Sequence, residues 1–185
     1  MKTSLALGLV ASLSIACAPP WTIVRQTTPD PFVGHPQFTI EPLHFEQAQV
    51  GGKSEAAYAA EKEASKQASW EEDKNGMNER FSAAIASTGV GLQLSGPGGA
   101  GAIVRPIVTF MEPGFYVGVA SHPTELKMRI QILDPQGQPL DEIAVHSSVG
   151  ASMTDPASGS RFREAAEHLG RVTAKYLQTR VTPDK

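Results

Sequence analysis

Leu126-Lys127-Met128-Arg129-Ile130-Gln131-Ile132 alternates apolar and polar side chains without a break, and Asp134-Pro135-Gln136-Gly137 follows one residue later. Successive side chains of a strand point to opposite faces, so this alternation marks a strand with one face on a core and one in water. Asp first, Pro second and Gly fourth is the preference of a type I turn. Leu140-Asp141-Glu142-Ile143-Ala144-Val145-His146 reads as the returning strand, which makes residues 126–146 an antiparallel hairpin. Its water-facing side would carry Lys127, Arg129 and Gln131. Its apolar side needs a second layer to cover it.

The segments on either side supply that layer. Phe162, Ala165, Ala166, Leu169, Val172, Tyr176 and Leu177 recur at three and four residues, the spacing of an amphipathic helix. Arg161, Arg163, Glu164, Glu167, Arg171 and Lys175 are expected on its other faces. Asp155-Pro156 would start it, with Asp capping and Pro at the first helical position. Upstream, residues 54–74 are rich in helix formers, and Met77, Phe81, Ala84, Ile85 and Thr88 form an apolar stripe that Trp70 could extend. Asn75-Gly76 interrupts this run, leaving one long helix or two, and Gly89 and Gly91 end it.

Between helix and hairpin, Gly91–Leu94 reads as a short strand and Gly96–Gly101 as a flexible loop. Ile103–Met111 is β-prone, and Glu112-Pro113-Gly114 is a turn. Phe38–Phe45 opens the domain as a strand whose Pro42 suggests an edge position or a bulge. The order predicts an α/β (α+β) two-layer sandwich. A mixed β-sheet would carry one long helix and a C-terminal amphipathic helix on one face.

The N-terminus decides location. Lys2 precedes an apolar run from Leu5 to Leu13, and small residues lead to Cys17, the only cysteine of the 185 residues. The run is too short for a membrane span, which needs roughly 20 apolar residues. It suits a signal-peptide core. Leu13-Ser14-Ile15-Ala16-Cys17 resembles the lipobox of bacterial lipoproteins, in which the cysteine becomes the lipidated first residue. Ala16 and Cys17 match that pattern. Ser14 stands where the family carries Leu, Val or Ile. The alternative is an ordinary secretory signal cut nearby.

The expected organisation is a signal peptide at 1–16, a lipidated N-terminus and proline-rich tether at 17–36, one domain at 37–181 and a disordered tail at 182–185. The tether would lift the folded body clear of the bilayer, with a short strand at Trp21-Thr22-Ile23-Val24 as the alternative for that stretch. The resemblance implies a diacylglyceryl thioether on Cys17, usually with a further N-acyl chain, and two or more chains anchor stably where one does not. Ala18, rather than Asp, follows the cysteine. In a host with two membranes the family's sorting habit implies the outer membrane, facing the periplasm.

The stretch Val104–Gly114, the alternating strand, the Asp-Pro-x-Gly hairpin and the terminal helix together resemble a family of bacterial envelope lipoproteins. Their domain is similar to the TolB N-terminal domain and the periplasmic core of the CsgG secretion lipoprotein. The resemblance implies accessory roles in assembly, transport or scaffolding. It carries no catalytic residues.

The formal net charge is −3, and no basic cluster exists, which argues against nucleic acid as a partner. Val149-Gly150-Ala151-Ser152-Met153-Thr154 lacks the second glycine of a nucleophile elbow, so Ser152 reads as a loop serine. His44, His122, His146 and His168 stand beside no acid–nucleophile set. The five histidines show no ligand spacing, so no metal and no cofactor are expected. The Gly96–Gly101 loop lacks the following helix and Lys-Ser/Thr of a phosphate cradle. Residues 55–74 lack the sustained heptad of a partner-binding coil and read as a solvated helix face. Phe115 and Tyr116 follow a turn and form a possible interaction patch, with burial under the sheet edge as the alternative.

These readings lead to a non-catalytic, membrane-anchored lipoprotein with an envelope protein as partner. The alternative is a lipoprotein that binds a small molecule or glycan between helix and sheet.

Overall fold

The computed structural model describes residues 18–155 and 157–182. The signal-peptide reading, Cys17, Pro156 and the last three residues therefore lie outside the described residues. The elements run β1 (Trp21–Arg25), β2 (Gln37–Ile40), β3 (Gln49–Val50), β4 (Lys53–Ser54), α1 (Glu55–Ala60), α2 (Ala64–Thr88) and β5 (Gln93–Ser95). Then come β6 (Ala102–Glu112), β7 (Phe115–Tyr116), β8 (Ser121–His122), β9 (Thr124–Leu133), β10 (Pro139–Val149) and α3 (Ser158–Val181).

The main sheet has the order β1-β10-β9-β6-β2-β5, with β3 and β4 attached beside β6. β2 pairs parallel with β5 and β6, and β9 pairs antiparallel with β6 and β10. The sheet is mixed, and α2 and α3 pack together on one of its faces, as the sequence pattern predicts. Met128, Ile130 and Ile132 of β9, with Ile143 and Val145 of β10, meet Phe162, Ala166, Leu169 and Tyr176 of α3 in one buried core. Burying each of the Met, Ile, Val, Leu and Phe side chains among them is worth roughly 1.5–3 kcal/mol.

The hairpin turn closes as read. Asp134 Oδ1 accepts from the backbone N–H of Gln136 and Gln138 at 2.9 and 2.8 Å. Gly137 takes φ +82°, which no β-branched residue would tolerate. Cross-helix contacts advance together along α2 and α3 (Asp73 with Arg163, Thr88 with Gln178), so the two helices run parallel.

Five expectations need correction. The helical run breaks at Glu61–Glu63, while Gly76 lies inside the continuous α2. A Cβ at Gly76 would stand 2.6 Å from Arg163 Nε, so that glycine makes room for the neighbouring helix. β2 is an inner strand between β6 and β5, because it ends at Ile40, before Pro42 can interrupt pairing. α3 begins at Ser158 with Ala157 in the N-cap position and no side-chain cap, so Asp155 does not cap it. Arg161, expected on an outer face, is fully buried.

The fifth correction concerns residues 17–36. β1 pairs antiparallel with β10, Trp21 facing Val145 and Ile23 facing Ile143. Phe32 lies in the core against Phe38, with ring centroids 5.9 Å apart. From Trp21 onward this segment is part of the folded body. The five prolines suggested a tether, but they leave Trp21-Thr22-Ile23-Val24-Arg25 free to complete an edge.

Candidate functional site

Between β6 and β9 the chain leaves the sheet as a small arm. β7 pairs with β8, Phe115 facing His122 and Tyr116 facing Ser121. The tip closes where Val117 N–H donates to the Ala120 carbonyl at 2.9 Å, with Gly118 at φ +78°. Phe115 is 49% exposed, Val117 65%, and Val119 fully exposed. No residue from Phe115 to Ala120 is charged. Exposure, not burial, is thus the state of Phe115, whose ring meets His122 edge-on at 6.1 Å.

The arm's root is tied to α3 by a cluster of hydrogen bonds. Arg161 reaches it from α3, donating from Nε to Thr124 Oγ1 at 2.8 Å and from Nη2 to the Pro113 carbonyl at 3.0 Å. Its Nη1 donates to the Asp155 carbonyl at 2.7 Å, and Thr124 Oγ1 donates to Pro113 at 2.6 Å. Among the described residues no carboxylate forms an ion pair with Arg161. A cation buried this way has only carbonyl and hydroxyl dipoles to replace its hydration. The periodicity of α3 hid this role, because an arginine beside a phenylalanine reads as the edge of the wet face.

At the other end of α3, a second buried cluster fixes the N-terminal segment. Asp141 is fully buried and accepts from Arg180 Nε at 2.7 Å, from Tyr176 Oη at 2.6 Å and from Thr27 N–H at 2.8 Å. Arg180 also pairs with Asp30 and donates to the Thr27 carbonyl at 3.0 Å. Burial and the neighbouring Asp141 carboxylate push the Tyr176 phenol far above its usual range, so it serves as a donor only. The hydrophobic alternation of β10 gave no hint that Asp141 points inward.

The open face of the sheet is a polar lattice. Glu41 accepts from Arg105 at 2.6 and 3.0 Å and meets His44 at 3.2 Å. Arg105 holds the Glu41 carboxyl below its ordinary value against the opposing effect of burial. Glu142 accepts from Arg129 at 2.6 Å and from Gln131 at 2.9 Å. The residues 55–74 close on themselves: Glu55 accepts from Trp70 Nε1 at 2.7 Å and Lys74 at 2.8 Å.

The candidate nucleophiles and bases stay apart. Ser152 meets only Thr154, at 3.0 Å, and the Asp155 N–H, at 3.2 Å. His168 Nδ1 lies 3.2 Å from Ser147 Oγ, a pair that no sequence spacing announces. Ser147 is 5% exposed beneath α3, out of reach of a substrate. Among the described residues no three His, Cys, Asp or Glu side chains converge as metal ligands. A groove of about 600 Å³ lies along the end of α3, lined by Pro20, Trp21, Val90, Leu92, Lys175 and Val181 among others. Between helices and sheet, where a ligand was one expectation, the middle is filled by packed side chains, and a smaller cavity of about 350 Å³ remains at the edge between α2 and β5, lined by Asn78, Ser82, Ala86, Ile40 and Leu94 among others.

The chain matches no protein-family model and no curated protein. Solved structures do match. A DUF330-family protein from Xanthomonas campestris superposes with a TM-score of 0.50 at 9% identity, covering 85% of this chain and 91% of that one. The likeness is one of fold. The PelC dodecamer from Paraburkholderia phytofirmans gives a TM-score of 0.44 at 8% identity over 82% of this chain and 97% of that one. A Caulobacter crescentus chain assigned to the lipoproteins gives 0.41 at 20% identity, over 60% and 85%. Among the described residues, no helix is long and apolar enough to cross a membrane.

Proposed function

We propose that the chain is a non-catalytic lipoprotein of the cell envelope. Acyl groups on Cys17 hold it to the outer membrane, facing the periplasm. It acts as an accessory or scaffolding component in assembly or transport. The kinship with the TolB N-terminal domain and the CsgG core, read from the strand–turn pattern, belongs to this proposal. The observation that carries it is the uncharged arm at Phe115 and Tyr116, held out from the sheet on a root that Arg161 locks. A rigid support under exposed apolar side chains suits recognition, because little ordering is lost on contact.

Two substitutions test it in cells. Cys17→Ser should move the protein from the membrane fraction to the soluble periplasm. Phe115→Ala with Tyr116→Ala should leave it anchored and folded, and should reduce what in-cell crosslinking captures. Continued membrane retention of the serine variant would remove the anchor from the proposal. Unchanged crosslinking would remove the arm.

A second reading has one observation in its favour. The groove beside Trp21 has the size of a small-molecule site and is mainly apolar, with Lys175 at its wall. A ligand there would raise the melting temperature by mass action when envelope extract is added. No shift would leave the arm as the functional surface.

A further inference from the structure

The register of the sheet tells which end of the domain faces the anchor. Trp21 stands opposite Val145, and the four residues from Val145 to Val149 lead to the Val149–Thr124 pair at the root of the arm. At roughly 3.3 Å per residue that is about 13 Å along the strand. Cys17 also lies four residues from Trp21, in the opposite sequence direction, and those four steps span at most about 14 Å. β1 runs antiparallel to β10, so the chain preceding Trp21 heads toward the arm end. Pro19 and Pro20 are already on that path. They line a shallow groove with Thr109, Lys127 and His146, and Lys127 and His146 pair with each other one step nearer the arm than Met128 and Val145.

A folded body of ~165 residues has a radius of about 20 Å, taken from its expected radius of gyration. A link shorter than that radius cannot let the body turn freely over a surface. It keeps the arm end toward whatever holds Cys17. The arm then stands two to three strands from β1, roughly 10–14 Å sideways. It carries Phe115, Val117 and Val119 exposed and no charge from Phe115 to Ala120. An uncharged apolar tip with a neighbouring Tyr is the composition that bilayer interfaces accept.

We propose that the β7–β8 arm is a membrane-contact element whose tip residues Val117 and Val119 enter the headgroup region of the bilayer that anchors the chain. The proposal rests on the reading of Cys17 as the lipidated residue. It assigns the tip of the arm to lipid and leaves Phe115 and Tyr116, nearer the root, to the protein contact. The hairpin turn at Asp134–Gly137 points the other way, since β9 is ten residues long and separates it from the arm by roughly 33 Å.

The test uses the full chain expressed in a two-membrane host, purified from membranes and placed in vesicles of phosphatidylethanolamine and phosphatidylglycerol. With Cys17 acylated, Val119→Cys or Gln136→Cys offers a single thiol for an environment-sensitive fluorophore. Mass spectrometry of the same material reads the acylation. The Val119 probe should shift to the blue and be quenched by lipids doxyl-labelled near the headgroup. Its depth should be roughly 5–10 Å, as for interfacial segments. The Gln136 probe should stay in water. An acylated protein with both probes in water overturns the arm proposal and leaves the anchor standing. A blue shift without lipid quenching overturns it in favour of a protein partner or second copy. An unmodified Cys17 removes the anchor reading and this proposal with it.

Discussion

Asp141 and Arg180 show how much one buried residue can carry. Arg180 is held by Asp141, Asp30 and the Thr27 carbonyl, and is almost wholly out of water. Removing one partner of a buried pair leaves the other's charge uncompensated, at a cost of about 3–5 kcal/mol. Asp141→Ala should therefore lower unfolding stability by that amount in urea titrations. A loss under ~1 kcal/mol would mean that water reaches Arg180 instead. His168 makes a separate, pH-dependent contribution. Burial lowers its pKa, and the nearby Arg171 and Lys175 lower it further. The folded state then takes up its proton at lower pH than the unfolded state. Stability is undiminished above the unfolded value near 6.5 and falls as pH drops below it. His168→Gln should flatten the change in urea midpoint between about pH 7.5 and 5.5. An unaltered pH slope would place the titrating group elsewhere.

At the scale of elements, the contact between α2 and α3 depends on a missing side chain. A Cβ at Gly170 would strike the Phe81 carbonyl oxygen and come within 2.9 Å of Ala84 Cβ. Neither backbone can give way without parting the helices. Gly170→Ala should cost about 1–3 kcal/mol despite its better helix propensity, as overpacked cores do. A stabilised variant in thermal melts would show that the helices can separate without loss. The same contact explains what the sequence could and could not reveal. The apolar stripes of α2 and α3 and the alternation of β9 were legible because each follows one local period. Whether Gly76 breaks the helix stayed open in the sequence, and Arg161 was misread as a surface residue, because their roles depend on partners dozens of residues away. The arm was legible only as aromatics after a turn. Its exposure follows from the fixed root formed by Pro113, Thr124 and Arg161, which no local pattern encodes.

For the whole molecule, the decisive difference lies in where the folded body begins. A domain starting near residue 37 would leave the outer edge of β10 unpaired and Phe38 without Phe32 beside it. It would also leave Asp141 and Arg180 without Thr27 and Asp30. An exposed edge with apolar neighbours is a template for association. A chain starting at Ala18 should melt cooperatively and elute as a single species. One starting at Gln37 keeps the Asp141–Arg180 pair but strips it of its contacts to Thr27 and Asp30 and uncovers Phe38, so it should melt at a lower temperature and should aggregate as it warms. Equal melting temperatures for the two would return residues 21–36 to the role of a spacer. On the proposed anchoring at Cys17, the link to the bilayer would then lengthen from four residues to twenty, and at roughly 3.3–3.6 Å per residue it could reach beyond 60 Å. Over that reach the body could turn freely, and nothing would hold the arm against the membrane.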